Sequence, residues 1–114
     1  MIAAQYRSPR ITEHPKDVLV KKHEPTTLNC KGEGKPEPVI EWYKDGELLN
    51  NSPSNVGRRI FLPGGDLFFL SVSDGKKESD GGVYWCVATN SVASVTSRNA
   101  TLLVGGQFFF YHVS

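Results

Sequence analysis

The chain has 114 residues, of which 39% are hydrophobic and 22% charged, and its formal net charge is +1. That length suits one domain with a single core, and the composition is that of an ordinary globule rather than a disordered segment. The near-neutral balance excludes an overall electrostatic pull toward nucleic acid or a membrane surface. No run approaches the roughly 20 apolar residues of a membrane-spanning helix.

Residues 1–8 are expected to form a disordered N-terminal segment, and Met1–Gln5 lacks the apolar run of a secretory leader. From Pro9 onward, short runs rich in β-branched and aromatic residues alternate with turns such as Asp45-Gly46, Pro63-Gly64-Gly65 and Asp80-Gly81-Gly82. The runs predict strands at Ile11–His14, Val18–Val20, Thr26–Lys31, Val39–Lys44, Glu47–Leu49, Arg59–Leu62, Asp66–Val72, Gly82–Thr89 and Ser94–Val104. Pro15 has no amide donor and suits the point where an edge strand changes sheets. No segment sustains a helical period, so the fold class is all-β, an antiparallel sandwich or barrel spanning 9–104. The remaining segment, 105–114, is a tail whose Phe108-Phe109-Phe110-Tyr111 cluster has no place in this pattern and is prone to aggregate.

Two cysteines, Cys30 and Cys86, are too few for a structural zinc site. An inter-sheet disulfide is the natural reading; it requires an oxidising compartment and stabilises by about 4 kcal/mol on the chain-entropy account. The alternative is a pair of buried reduced thiols in a cytosolic domain. Trp42 lies in Val39-Ile40-Glu41-Trp42-Tyr43, and Asp80-Gly81-Gly82-Val83-Tyr84-Trp85-Cys86 fits the pattern D-x-G-x-Y-x-C. Tyr84, two residues before the second cysteine, can bond its hydroxyl to upstream backbone. Cys30, Trp42, Asp80, Tyr84 and Cys86 at these spacings define an immunoglobulin-like antiparallel β-sandwich. The short Glu47–Leu49 strand resembles the I-set type.

Several segments resemble one family more closely than the fold requires. These are Pro9-Arg10-Ile11-Thr12-Glu13-His14-Pro15, Glu24-Pro25-Thr26-Thr27-Leu28-Asn29-Cys30-Lys31, Gly34-Lys35-Pro36-Glu37-Pro38, Ile40-Glu41-Trp42-Tyr43-Lys44 and Leu67-Phe68-Phe69-Leu70. They resemble the first immunoglobulin domain of Roundabout receptors, the cell-surface axon-guidance receptors for Slit. The resemblance implies the extracellular, ligand-binding tip of a plasma-membrane receptor, in a segment that does not itself enter the membrane. It runs from about Ser8 to Val104 and does not extend into the tail.

Alternation assigns faces independently of that resemblance. Cys30 and Leu28 point inward, so Asn29 and Lys31 point outward; Leu67 and Phe69 share the core side, leaving Phe68 and Leu70 toward solvent. A large aromatic and a leucine on a face that should be polar mark a protein-binding patch, unless a loop or the tail covers them. The resemblance implies a contact set of Glu13, Asn29, Lys31, Phe68 and Leu70 for the leucine-rich repeats of Slit.

Lys21-Lys22, Arg58-Arg59 and Lys76-Lys77 are expected to gather at one pole, as a site for a sulfated polysaccharide or as solvated turns. The resemblance implies heparan sulfate as co-ligand, with Lys76 and Lys77 at the family's basic loop. Asn50-Asn51-Ser52 and Asn99-Ala100-Thr101 are glycosylation sequons at Asn50, in a loop, and Asn99, within the last strand. His14, His23 and His112 lack metal-type spacing. No nucleophile elbow or phosphate-binding glycine pattern is present, and the basic pairs lack the stacking platform of a nucleic-acid reader. No enzyme, cofactor or metal site is expected. The rival to a receptor domain is a homophilic adhesion or structural I-set module.

Overall fold

A computed structural model describes residues 5–50, 52, 55, 57–75 and 79–105. The strands are β1 (Arg7–Glu13), β2 (Val18–Val20), β3 (Thr26–Leu28), β4 (Lys31–Lys35), β5 (Val39–Lys44) and β6 (Glu47–Leu48). They continue with β7 (Arg59–Phe61), β8 (Leu67–Phe69), β9 (Gly82–Thr89), β10 (Ser94–Thr96) and β11 (Ala100–Val104). One layer runs β2-β11-β9-β5-β6, with β10 also on β9; the other consists of β1-β4 and β3-β8-β7. The result is the all-β immunoglobulin-like sandwich read from the sequence.

The inward residues follow from a side-chain period of two. Leu28, Leu67 and Phe69 meet Trp42, Tyr84, Cys86 and Leu102 in one core, each at most 1% exposed. Cys30 and Cys86 are joined by a disulfide across the layers, so the reduced-thiol alternative does not hold. Trp42 lies directly opposite Cys86 in the β5–β9 register, and its indole N–H donates to the Gly65 carbonyl at 2.7 Å. A buried indole donor needs such a partner. The Tyr84 hydroxyl donates to the Asp80 carbonyl at 2.6 Å, as its position before Cys86 predicts. Burial pushes the Tyr84 phenol well above its ordinary range.

Several strand boundaries differ from expectation, each for a local reason. β1 begins at Arg7 instead of Ile11, because backbone pairing to Lys35 and a bond from Asn90 to the Arg7 carbonyl need no apolar side chain. Arg7 and Ser8 are therefore strand rather than part of a disordered segment. His14 lies beyond β1, its Nδ1 accepting from the Arg98 amide at 3.0 Å. The run Thr26–Lys31 is broken at Asn29-Cys30, where the Asp66 carboxylate, rather than a neighbouring strand, accepts the Cys30 amide at 2.9 Å. Gly65 sits against that break at φ +119°, and a Cβ there would come within 2.5 Å of the Cys30 carbonyl. Only glycine fits.

The last strand is likewise two. Between β10 and β11 the Ser97 hydroxyl accepts the Cys86 amide at 2.9 Å, taking the place of a ladder carbonyl. Strands expected to reach Leu49, Leu62 and Val72 end at Leu48, Phe61 and Phe69. Leu49 turns into the core at 6% exposed, while single backbone bonds carry the pairing past β7 and β8.

Candidate functional site

The β3–β8–β7 registers pair Phe68 with Thr27 on one side and Ile60 on the other. Their neighbours Leu28, Leu67 and Phe69 are buried, so Thr27, Phe68 and Ile60 form one row on the outer side of the sheet. Phe68 is half-buried between its flanking strands. Ile60, Leu62 and Leu70 extend the row into an apolar area and are 43%, 37% and 53% exposed. No described loop covers them. Phe68 and Leu70 face solvent as alternation requires; Ile60 and Leu62 were missed, although the same parity along β7 would have found them.

Charge borders this area on the β1–β4 side. Glu13 lies opposite Lys31, whose ammonium meets the Asp66 carboxylate at 2.6 Å, and Arg10 meets Glu33 at 2.6 Å. Asn29 is exposed at the junction of β3 and β4. Glu13, Asn29, Lys31, Phe68 and Leu70 therefore share the outer side of one layer. An apolar centre edged by hydrogen-bonding and charged groups has the anatomy of a protein interface.

The basic pole is only partly assembled. The Lys21-Lys22 turn does lie beside the segment after β8: the His23 amide donates to Val72 at 2.7 Å and Lys22 meets Asp74 at 3.2 Å. Arg58 pairs with Asp80 at 2.7 Å while remaining partly exposed. Arg59 does not belong to the surface. It is 6% exposed, its Nε and Nη2 donate to Asp80 at 3.0 and 2.7 Å, and its Nη1 donates to buried Asn55 at 3.1 Å. Its guanidinium also lies 5.8 Å from the centre of the Phe69 ring. Arg59 shares the inward parity of Phe61, so the strand carries it into the core, where Asp80 must neutralise it. The expectation that Arg59 meets a polysaccharide is corrected on that ground. Lys76 and Lys77 lie outside the described residues.

Of the sequon asparagines, Asn50 uses its side-chain oxygen to accept the Trp42 amide at 2.8 Å. Asn99 is exposed in the link between β10 and β11 rather than inside a strand. Among the described residues, no group of three or more His, Cys, Asp or Glu is placed to hold a metal ion.

This architecture, with its cross-layer disulfide, Trp42 opposite Cys86 and Tyr84 bonded back to Asp80, defines an immunoglobulin domain. The immunoglobulin domain family matches residues 8–90, and the chain belongs to it. Within that family the chain is of Roundabout type. It is 53% identical over 98 residues to Roundabout homolog 2 of Homo sapiens, covering 84% of this chain and 7% of that protein. It is 51% identical over 98 residues to Roundabout homolog 1 of Mus musculus, covering 84% of this chain and 6% of that protein. The chain thus spans only a small part of these relatives. Among solved structures, Sidekick-1 immunoglobulin domains 1–4 superpose with a TM-score of 0.74 at 28% identity, covering 87% of this chain and 24% of that one. The titin tandem A164-A165 superposes at 0.70 with 32% identity, covering 88% and 48%. An immunoglobulin domain of this type is not an enzyme.

Proposed function

We propose that this is the first, ligand-binding immunoglobulin domain of a Roundabout-type axon-guidance receptor, displayed outside the cell. In this reading it binds the leucine-rich repeats of Slit through the outer face of the β1–β4 and β3–β8–β7 layer. The observation that carries the reading is the apolar row of half-buried Phe68 with exposed Ile60 and Leu70, beside Asn29 and the Glu13–Lys31 register pair. Phe68 is the anchor, because a large ring between two strands presents rigid apolar area at small entropic cost. The disulfide supports an oxidising compartment. The binding unit is the sandwich through Val104, with 105–114 outside it.

Heparan sulfate is the co-ligand of this reading, held by Lys21, Lys22 and Arg58 together with Lys76 and Lys77. The deciding experiment measures binding to a Slit leucine-rich-repeat fragment. Phe68→Ala is expected to weaken it by about 1–3 kcal/mol with an unchanged melting temperature. An unchanged dissociation constant removes this face from the account.

A further inference from the structure

A hollow of about 400 Å³ opens at the edge of that same face, between the β4–β5 connection and the β7–β8 turn. Cβ atoms built at Gly32 and Gly65 would lie 3.3 and 3.0 Å from the Ile40 side chain, so both positions contribute backbone alone. Pro38, Ile40 and Leu62 supply apolar walls, and exposed Glu37 also lines the hollow. Glu37 makes no ion pair among the described residues, whereas nearby Glu33 and Asp66 are paired with Arg10 and Lys31.

Leu62 belongs both to the lining of the hollow and to the exposed apolar row of the outer face. The Leu62 amide donates to the Asp66 carbonyl at 2.9 Å, and the Asp66 carboxylate holds Lys31 on the border of the apolar row.

We infer that this hollow is a specificity pocket for one lysine or arginine side chain of the protein ligand. The aliphatic stem lies along Pro38, Ile40 and Leu62, and the cation meets the Glu37 carboxylate. The inference rests on the reading of the outer face as the ligand surface. A long cationic side chain matches both parts of the lining, because its stem buries against apolar walls while its head stays at a wet, acidic mouth. A purely apolar side chain would leave Glu37 partly desolvated and unpaired, which costs affinity. The pocket therefore selects among ligands that satisfy Phe68 equally well.

The test uses the whole domain and a Slit leucine-rich-repeat fragment, with Glu37→Gln, Leu62→Ala and Phe68→Ala compared side by side. Both pocket positions are exposed, so melting temperatures should match the parent. Glu37→Gln is expected to weaken binding roughly 3- to 30-fold at low salt, by less at high salt, and Leu62→Ala to weaken it at both. If Phe68→Ala loses binding while Glu37→Gln and Leu62→Ala bind like the parent, the pocket is wrong and the face stands. If all three bind like the parent, the face and the pocket fall together. A Glu37→Gln loss that is the same at low and high salt also overturns the cationic occupant.

Discussion

The apolar face and the basic pole both gather side chains from separated segments, yet they resolve their charges in opposite ways. On the face, the ion pairs Arg10–Glu33 and Lys31–Asp66 lie along the border and leave Ile60 and Leu70 exposed at the centre, with Phe68 half-buried. At the pole, acids take up the cations themselves: Asp74 holds Lys22, and Asp80 holds both Arg58 and Arg59. A partner at the pole must compete with these internal acids, whereas one at the face meets apolar side chains that are already exposed. Two adjacent arginines illustrate the point, since Arg58 remains partly exposed and Arg59 is core.

That contrast breaks most visibly at Asp80. Its carboxylate takes Arg58 and Arg59 on one oxygen and the Ser73 amide on the other at 2.7 Å, with its side chain only 1% exposed. Asp80→Ala leaves Arg59 charged and unpaired in the core, and a loss of about 3–5 kcal/mol in chemical denaturation is expected. A loss below about 1 kcal/mol would mean that the pole is a surface cluster after all. Next in size is the effect on the face, where Phe68→Ala should change ligand affinity and leave the fold alone.

A smaller effect belongs to the exposed lysines. Lys21→Ala with Lys22→Ala should lower heparin affinity about 2- to 10-fold at 0.15 M salt, and the deficit should shrink as salt screens exposed charge. Equal heparin elution of variant and parent would confine polysaccharide binding to other residues. The smallest effect is acid-linked. The Val83 amide, donating to the Asp45 carboxylate at 2.9 Å, holds the Asp45 pKa below its ordinary range, with Lys44 assisting. A carboxyl depressed on folding contributes stability that is complete above its unfolded pKa of about 3.9 and is lost as pH falls through the lower folded value. Asp45→Asn should therefore flatten the denaturation midpoint of the parent below about pH 4, and parallel pH profiles would remove Asp45 from that account.

Much of the fold was legible because it depends on parity and spacing. Cys30, Trp42, Tyr84 and Cys86 announce the sandwich, and alternation turns Phe68 and Leu70 outward while sending Leu67 and Phe69 in. The same rule applied to β7 sends Arg59 inward with Phe61 and leaves Ile60 and Leu62 outside, which the charge of Arg59 conceals. The strand breaks were not legible for a different reason. Asp66 and Ser97 each replace a backbone acceptor with a side-chain oxygen, at Cys30 and Cys86 respectively. Nothing in local propensity signals that substitution. The hollow depends on Gly32, Ile40 and Gly65 meeting across three segments, a distance relation that no single stretch of sequence contains.

The pairing of β2 with β11 has a mechanical consequence. These two strands run parallel, with Val18, Leu19 and Val20 beside Leu102, Leu103 and Val104. Tension drawing the N-terminal side away from the C-terminal side loads their hydrogen bonds in shear, together, rather than peeling them open one after another as in a hairpin. Once they yield, the covalent bridge between Cys30 and Cys86 still keeps every residue between those two positions from being paid out under load. Under such tension the domain would thus lengthen only through the segments outside Cys30 and Cys86.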